Sequence, residues 1–154
     1  PSKKLHLTIL VGFEHERAAA VIEQFEPARL TLMCGDPSQS VSTGHYDTNK
    51  RFFDELRRFV ERTQTTQTAV EALYFSCVDP VDARDKVLRL ATQSDDYNMV
   101  VCPMNTKLST IGVGLAALEN QRIQIAYARA IEYNEEGYST PSDSATIFEY
   151  VCGH

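Results

Sequence analysis

The sequence predicts a Rossmann-like α/β domain, a mostly parallel sheet of about six strands with helices on both faces. Three observations carry that expectation. Short apolar runs alternate with amphipathic stretches along the chain, Gly, Pro and Asp punctuate the junctions, and no internal repeat, low-complexity tract or linker breaks the alternation. Strand–helix–strand units of this length pair in parallel through right-handed crossovers, which gives one sheet covered on both sides.

Leu5–Val11 is apolar enough for a strand, and Phe13–Phe25 follows with Ala18, Val21, Ile22 and Phe25 on one helix face, closed by Pro27. Arg29–Cys34 reads as the second strand, ended by Gly35-Asp36-Pro37, with a polar loop over Ser38–Tyr46. Phe52, Leu56, Phe59 and Val60 mark a second helix over Asp47–Arg62, whose basic residues alternate with Asp54, Glu55 and Glu61 as on a solvated face. Ala69–Val78 supplies a third strand. Asp79-Pro80 starts a helix reaching about Gln93, because Asp caps and Pro fits the first turn. Asn98–Cys102, Thr106–Leu118 and Arg122–Tyr127 are the fourth strand, fourth helix and fifth strand. A polar, tyrosine-bearing segment over Ile131–Ser142 then leads to a last strand at Ala145–Cys152.

With 154 residues and 43% hydrophobic content, the chain suits a single domain over residues 1–154, since at this size folding hides roughly 70% of the unfolded surface. It opens at Pro1 rather than Met, as a domain cut from a longer polypeptide would. No apolar run approaches the roughly 20 residues that span a bilayer, and no basic-then-apolar segment opens the chain, so a cytoplasmic protein without membrane contact is expected. A net charge of −6 argues against a broad footprint for duplex nucleic acid but not against a small anionic ligand. Cys34, Cys77, Cys102 and Cys152 lack CxxC spacing and nearby histidines, and read as buried apolar side chains. No metal and no cofactor are expected.

If the fourth strand returns beside the first, the order reverses between them, and a ligand crevice lies between Val11-Gly12-Phe13-Glu14 and Cys102–Lys107. There an apolar strand ends in Pro103-Met104-Asn105 and a helical pattern starts at once, with Thr106 as N-cap. Asn105, Thr106, Lys107 and the free N–H groups of residues 107 to 109 would then hold an anion, a phosphate or nucleotide above all. The same residues also suit a purely structural role, with Thr106 capping and Lys107 solvating the helix edge. Across the crevice, Gly12 lets backbone approach a ligand, Phe13 and Glu14 follow it, and Arg17 offers a forked donor. Tyr127, Tyr133, Asn134, Tyr138 and Ser139 follow the fifth strand and suit stacking on a base, or surface packing. Adjacent positions point His15 and Glu14 apart, and no Ser-His-Asp or HExxH arrangement appears, so binding is favoured over catalysis. The helix Ile111–Leu118 is apolar all round, which suits either a homodimer interface or burial under the terminal strand. Gly112 and Gly114 each lower its helix propensity by roughly 1 kcal/mol, which implies close packing.

Two stretches resemble the CRISPR-associated Rossmann-fold (CARF) sensor domains and related modules of prokaryotic defence proteins. One is Leu10-Val11-Gly12-Phe13-Glu14. The other runs from Tyr97-Asn98-Met99-Val100-Val101 to Asn105-Thr106-Lys107, where that family often has a small residue, Thr and Lys after its fourth strand. Pro103-Met104-Asn105 replaces the glycine-rich turn common there. A second similarity is to defence-associated domains with a Gly-Phe-Glu-x-x-Arg-like opening, here Gly12-Phe13-Glu14-His15-Glu16-Arg17. The resemblance implies a two-fold homodimer that binds a cyclic oligoadenylate or related second messenger and regulates an attached or associated effector. Asn105, Thr106 and Lys107 would then contact ligand phosphates and ribose. Two other functions stay open: a nucleotide hydrolase or N-glycosidase using Glu14 as base or nucleophile, and a structural dimerisation subunit packing through the fourth helix.

Overall fold

Side chains alternate across every strand, and that alternation divides the core into two layers. The computed structural model describes residues 3–63, 69–129 and 142–151. Its elements are β1 (Lys4–Leu10), α1 (His15–Phe25), β2 (Arg29–Gly35), a 3₁₀ turn (Pro37–Gln39), α2 (Thr43–Thr63), β3 (Ala69–Phe75), α3 (Pro80–Thr92), β4 (Tyr97–Pro103), α4 (Lys107–Glu119) and β5 (Ile123–Ile125). The strands lie in the order β3-β2-β1-β4-β5, every pair parallel, which is a Rossmann-like α/β fold. Leu7, Ile9, Leu30, Leu32 and Val100 pack against Ala18 and Ile22 of α1 and Phe53, Leu56 and Val60 of α2. Leu10, Met33, Met99 and Val101 point the other way, onto Val87 and Leu90 of α3 and Val113 and Ala116 of α4.

The expected sheet of about six strands is corrected to five among the described residues. Residues 145–151 form no strand, and Cys152 lies outside the described residues. Ile147 and Val151 are exposed there, while the Tyr150 hydroxyl donates to Glu119 and the Arg84 guanidinium lies over the Tyr150 ring at 5.6 Å. Side-chain contacts to α3 and α4 thus hold the segment where a ladder was expected. The fifth strand shrinks to Ile123–Ile125. The expected loop over residues 38–46 is also shorter. Asp36 accepts from the Ser38 N–H at 2.8 Å to start the 3₁₀ turn, and the Ser42 hydroxyl accepts from the His45 N–H at 3.1 Å, so α2 begins at Thr43. Its buried stripe is Asn49, Phe53, Leu56 and Val60, with Phe52 turned aside.

Among the described residues helix α4 is covered on one face only. A Cβ at Gly112 would stand 2.3 Å from the Pro80 carbonyl oxygen and 2.8 Å from Ala83 Cβ, so this glycine lets α3 and α4 touch. Gly114 has open space around it, which removes close packing as its explanation. Ile111 and Leu118 are 53% and 75% exposed. In contrast, the three described cysteines, Cys34, Cys77 and Cys102, are buried, and burial raises the first two thiol pKa values to about 12 and about 11. No helix among the described residues is long and apolar enough to cross a membrane.

At the amino ends of the strands the layer beneath α3 is polar. His6 is fully buried, with Nδ1 2.8 Å from Ser94 Oγ and Nε2 2.8 Å from Thr31 Oγ1. Burial first, and the Arg29 charge second, hold its pKa at about 4.

Two expectations follow from this packing. Gly112→Ala should destabilise the fold by about 1–3 kcal/mol, as overpacking does, whereas Gly114→Ala should stabilise it by up to about 1 kcal/mol through helix propensity. Urea unfolding of both variants checks the opposite signs. For His6, folded and unfolded chains are both neutral above pH 6.5. Below that value the unfolded chain takes up a proton that the folded chain refuses until about pH 4. Stability should therefore fall by up to about 3 kcal/mol as pH drops through this window. Denaturation midpoints at a series of pH values read it, and a His6→Asn variant that keeps its fold should lose that portion of the slope.

Candidate functional site

Parallel order 3-2-1-4-5 reverses between β1 and β4, which puts the switch point at the loops that follow those strands. The two loops are in contact. A Cβ at Gly12 would lie 1.7 Å from the Met104 carbonyl oxygen and 3.4 Å from Asn105 Cα, so the missing side chain admits protein backbone at this place. Asn105 Nδ2 donates to the Val11 carbonyl at 2.6 Å, and its Oδ1 accepts from the Thr106 N–H at 2.8 Å. Thr106 caps α4 by accepting from the Ser109 N–H at 3.2 Å, and its hydroxyl donates to the Cys77 carbonyl at 2.8 Å. Lys107 is exposed at the first turn of α4.

Asn49 completes this rim. It is fully buried, donates to the Val11 and Gly12 carbonyls at 2.7 and 3.1 Å, and accepts from the Gly35 N–H at 2.9 Å. One amide thus ties the ends of β1 and β2 to α2. No motif marks Asn49 in the sequence, although it continues the 53, 56, 60 spacing of the buried stripe one turn back.

Open space begins beside this rim, on the α1 and α2 side of the sheet. A cleft of about 770 Å³ is lined by residues 13–17 at the start of α1, by Val21 and Gln24 further along it, by Phe52 of α2, and by Tyr127, Ala128 and Arg129 after β5. It brings together Phe13, Glu14 and Arg17 of the expected site residues, together with Tyr127. Gly12, Asn105, Thr106 and Lys107 do not line it. Tyr133 lies outside the described residues. In the sequence Phe52 reads as part of the second helix's apolar stripe, and no motif marks Arg129.

The start of α1 differs from those of the other helices. Ser42, Asp79 and Thr106 cap α2, α3 and α4 with side-chain oxygens, whereas Glu14 at the N-cap of α1 makes no capping hydrogen bond. Its carboxylate instead lies 2.9 Å from Arg17 Nε. That nitrogen is buried, and its N–H is not aimed at the carboxylate, so the contact is an ion pair without a directed hydrogen bond. The guanidinium charge opposes the rise that burial imposes on the Cys102 thiol pKa. His15 pairs with Glu55 at 3.1 Å and stacks on Phe52 at 5.6 Å between centroids. Phe13 meets the His45 ring edge-on at 4.8 Å, and burial lowers the His45 pKa. Arginines, uncapped N–H groups and three aromatic rings can together receive an anion joined to a ring. Among the described residues no cluster of His, Cys, Asp and Glu could hold a metal ion.

Fold and cleft together define a Rossmann-like α/β domain with a polar and aromatic cleft at the carboxyl end of its sheet. No family model matches the chain, and no curated protein matches it. Among solved structures it is similar to the E. coli tRNA N6-threonylcarbamoyladenosine dehydratase, TcdA, in complex with AMP, with a TM-score of 0.49 and 14% identity. The match covers 80% of this chain and 50% of that one, so the chain spans half the length of that protein.

Gly12→Ala should destabilise the fold by about 2 kcal/mol or more, because the obstacle is a backbone carbonyl and overpacking relaxes least against backbone. Thermal unfolding of the variant beside the parent measures it.

Proposed function

We propose that the domain binds a nucleotide-type ligand in the cleft, its anionic group at the start of α1 and on Arg17, its ring against Phe13, Phe52 or Tyr127. The observation that carries this reading is the uncapped start of α1, whose first-turn residues line the same cleft as a buried Arg17 Nε with no directed hydrogen bond. Unmet N–H groups, the helix dipole and a guanidinium all favour a phosphate or carboxylate there. A cleft of about 770 Å³ is within the size range of small-molecule sites.

Sensing is the role we assign to it. No Ser, Thr or Cys lines the described cleft, so Glu14 and His15 have no hydroxyl or thiol nucleophile of those types to activate there. By the resemblance to CARF domains, the ligand would be a second messenger such as a cyclic oligoadenylate. Its binding would be relayed to an effector of a prokaryotic defence-type system. The competing reading, a nucleotide hydrolase or N-glycosidase, draws on Glu14, which lines the cleft with its side chain 51% exposed.

Calorimetric titration with nucleoside monophosphates, NAD and cyclic oligoadenylates tests the proposal. At least one should bind, and Arg17→Ala should weaken that binding by about 1.5–3 kcal/mol, the value of a charge-assisted hydrogen bond. Lys107→Ala, outside the cleft, should change it little. Absence of heat with every ligand would overturn the reading. Chromatography of the same mixtures separates the roles: turnover that vanishes in Glu14→Gln, with fold and affinity kept, would make the domain an enzyme.

A further inference from the structure

We propose that the free edge of β3 is a homodimer interface, at which two copies pair their β3 strands antiparallel about a two-fold axis through Ala72 and join two sheets into one. Among the described residues β3 lies at the end of the sheet and pairs on one side only, with β2. The Phe75 carbonyl accepts from the Asp36 N–H at 2.8 Å on the β2 side. Strand alternation therefore turns the N–H and C=O groups of Leu73 and Glu71 inward as well. Those of Val70, Ala72 and Tyr74 point out, and among the described residues nothing bonds to them.

The side chains repeat that division. Phe75 and Leu73 belong to the layer under α3 and α4, whereas Val70, Ala72 and Tyr74 are exposed on the opposite face, Val70 at 47% and Tyr74 at 49%. Unpaired backbone and uncovered apolar surface thus fall on the same three residues. Edge strands are ordinarily protected by Lys, Pro or a bulge. β3 reads Ala-Val-Glu-Ala-Leu-Tyr-Phe and pairs with β2 over all seven positions, so it carries none of these, and its one charged residue, Glu71, faces away from Val70, Ala72 and Tyr74 and pairs with Arg29.

The occupant that fits is a second copy, because the edge is complementary to itself. Centred on Ala72, the pairing sets Val70 opposite Tyr74 of the second copy, Ala72 opposite Ala72, and Tyr74 opposite Val70. These are the outward-facing residues, so all three are hydrogen-bonded pairs, and two of them match a β-branched side chain with an aromatic ring. Glu71 comes opposite Leu73, so the strand's one charge does not meet itself. A centre on Glu71 would set two carboxylates face to face. Because a two-fold interface uses up the edge it forms on, the assembly closes at two copies.

Sedimentation equilibrium across the micromolar range, with amide hydrogen exchange on the same samples, tests this. The protein should dimerise, and the Val70, Ala72 and Tyr74 amides should slow as concentration rises. Ala72→Pro removes an N–H that faces outward and spares the ladder to β2, so it should raise the dimer dissociation constant at least about tenfold. The pair Val70→Lys and Tyr74→Lys should do the same by charge, and it carries the test if the proline variant does not fold. Leu118→Asp on the exposed side of α4 should leave the dimer intact. A protein that stays monomeric with those amides exchanging freely would overturn the proposal. So would a dimer that persists in the folded β3 variants, or one that is lost in Leu118→Asp.

Discussion

Everything at the carboxyl end of the sheet depends on the contact between Gly12 and the Met104 carbonyl. It brings the loops after the two central strands so close that one carbonyl, that of Val11, receives amide donors from both Asn49 and Asn105. An unmet buried carbonyl would cost about 1–3 kcal/mol, so these amides are fixed by the fold they complete. Thr106 carries the same linkage onward to the Cys77 carbonyl at the end of β3. The rim is therefore a continuous set of side-chain to backbone bonds across β1, β2, β3 and β4.

That rim also fills part of the switch point. At a topological switch point the expected space is the gap between the loops, but here protein fills the gap. The cleft lies to one side, where α1 begins without a cap and the chain leaves β5. The capping pattern agrees with this division. Helices whose first turns meet the rim or the solvent have Ser, Asp or Thr in place, and the one bordering the cleft has Glu14 turned to Arg17 instead.

The order and type of the elements were legible in the sequence, because apolar strands and one-faced helices impose different periods. The strand order was legible too, once the fourth strand was taken to return beside the first. Features that depend on distant partners were not. Ala145–Cys152 has the composition of a strand, but composition does not say whether an edge is there to receive it, and Tyr150 is engaged with Glu119 and Arg84. Gly112 and Gly114 look alike in sequence and differ only because α3 crosses one of them. Likewise the motif at residues 105–107 reads equally as an anion site or as a cap with its tether. Which of Asn105 and Thr106 had backbone partners could be seen only when Val11 and Cys77 were in place.

The arrangement of the sheet also bears on how the chain is made. β1 leaves the ribosome before the other strands of the sheet but sits at its centre, and Asn105, which secures its end, is 94 residues further along than Val11. At about 5–20 residues per second, that separation is roughly 5–20 s of synthesis. Throughout it β1 can pair with β2 while the backbone of its other edge waits for β4. For those seconds the future centre of the sheet is its margin, open to any strand that reaches it first.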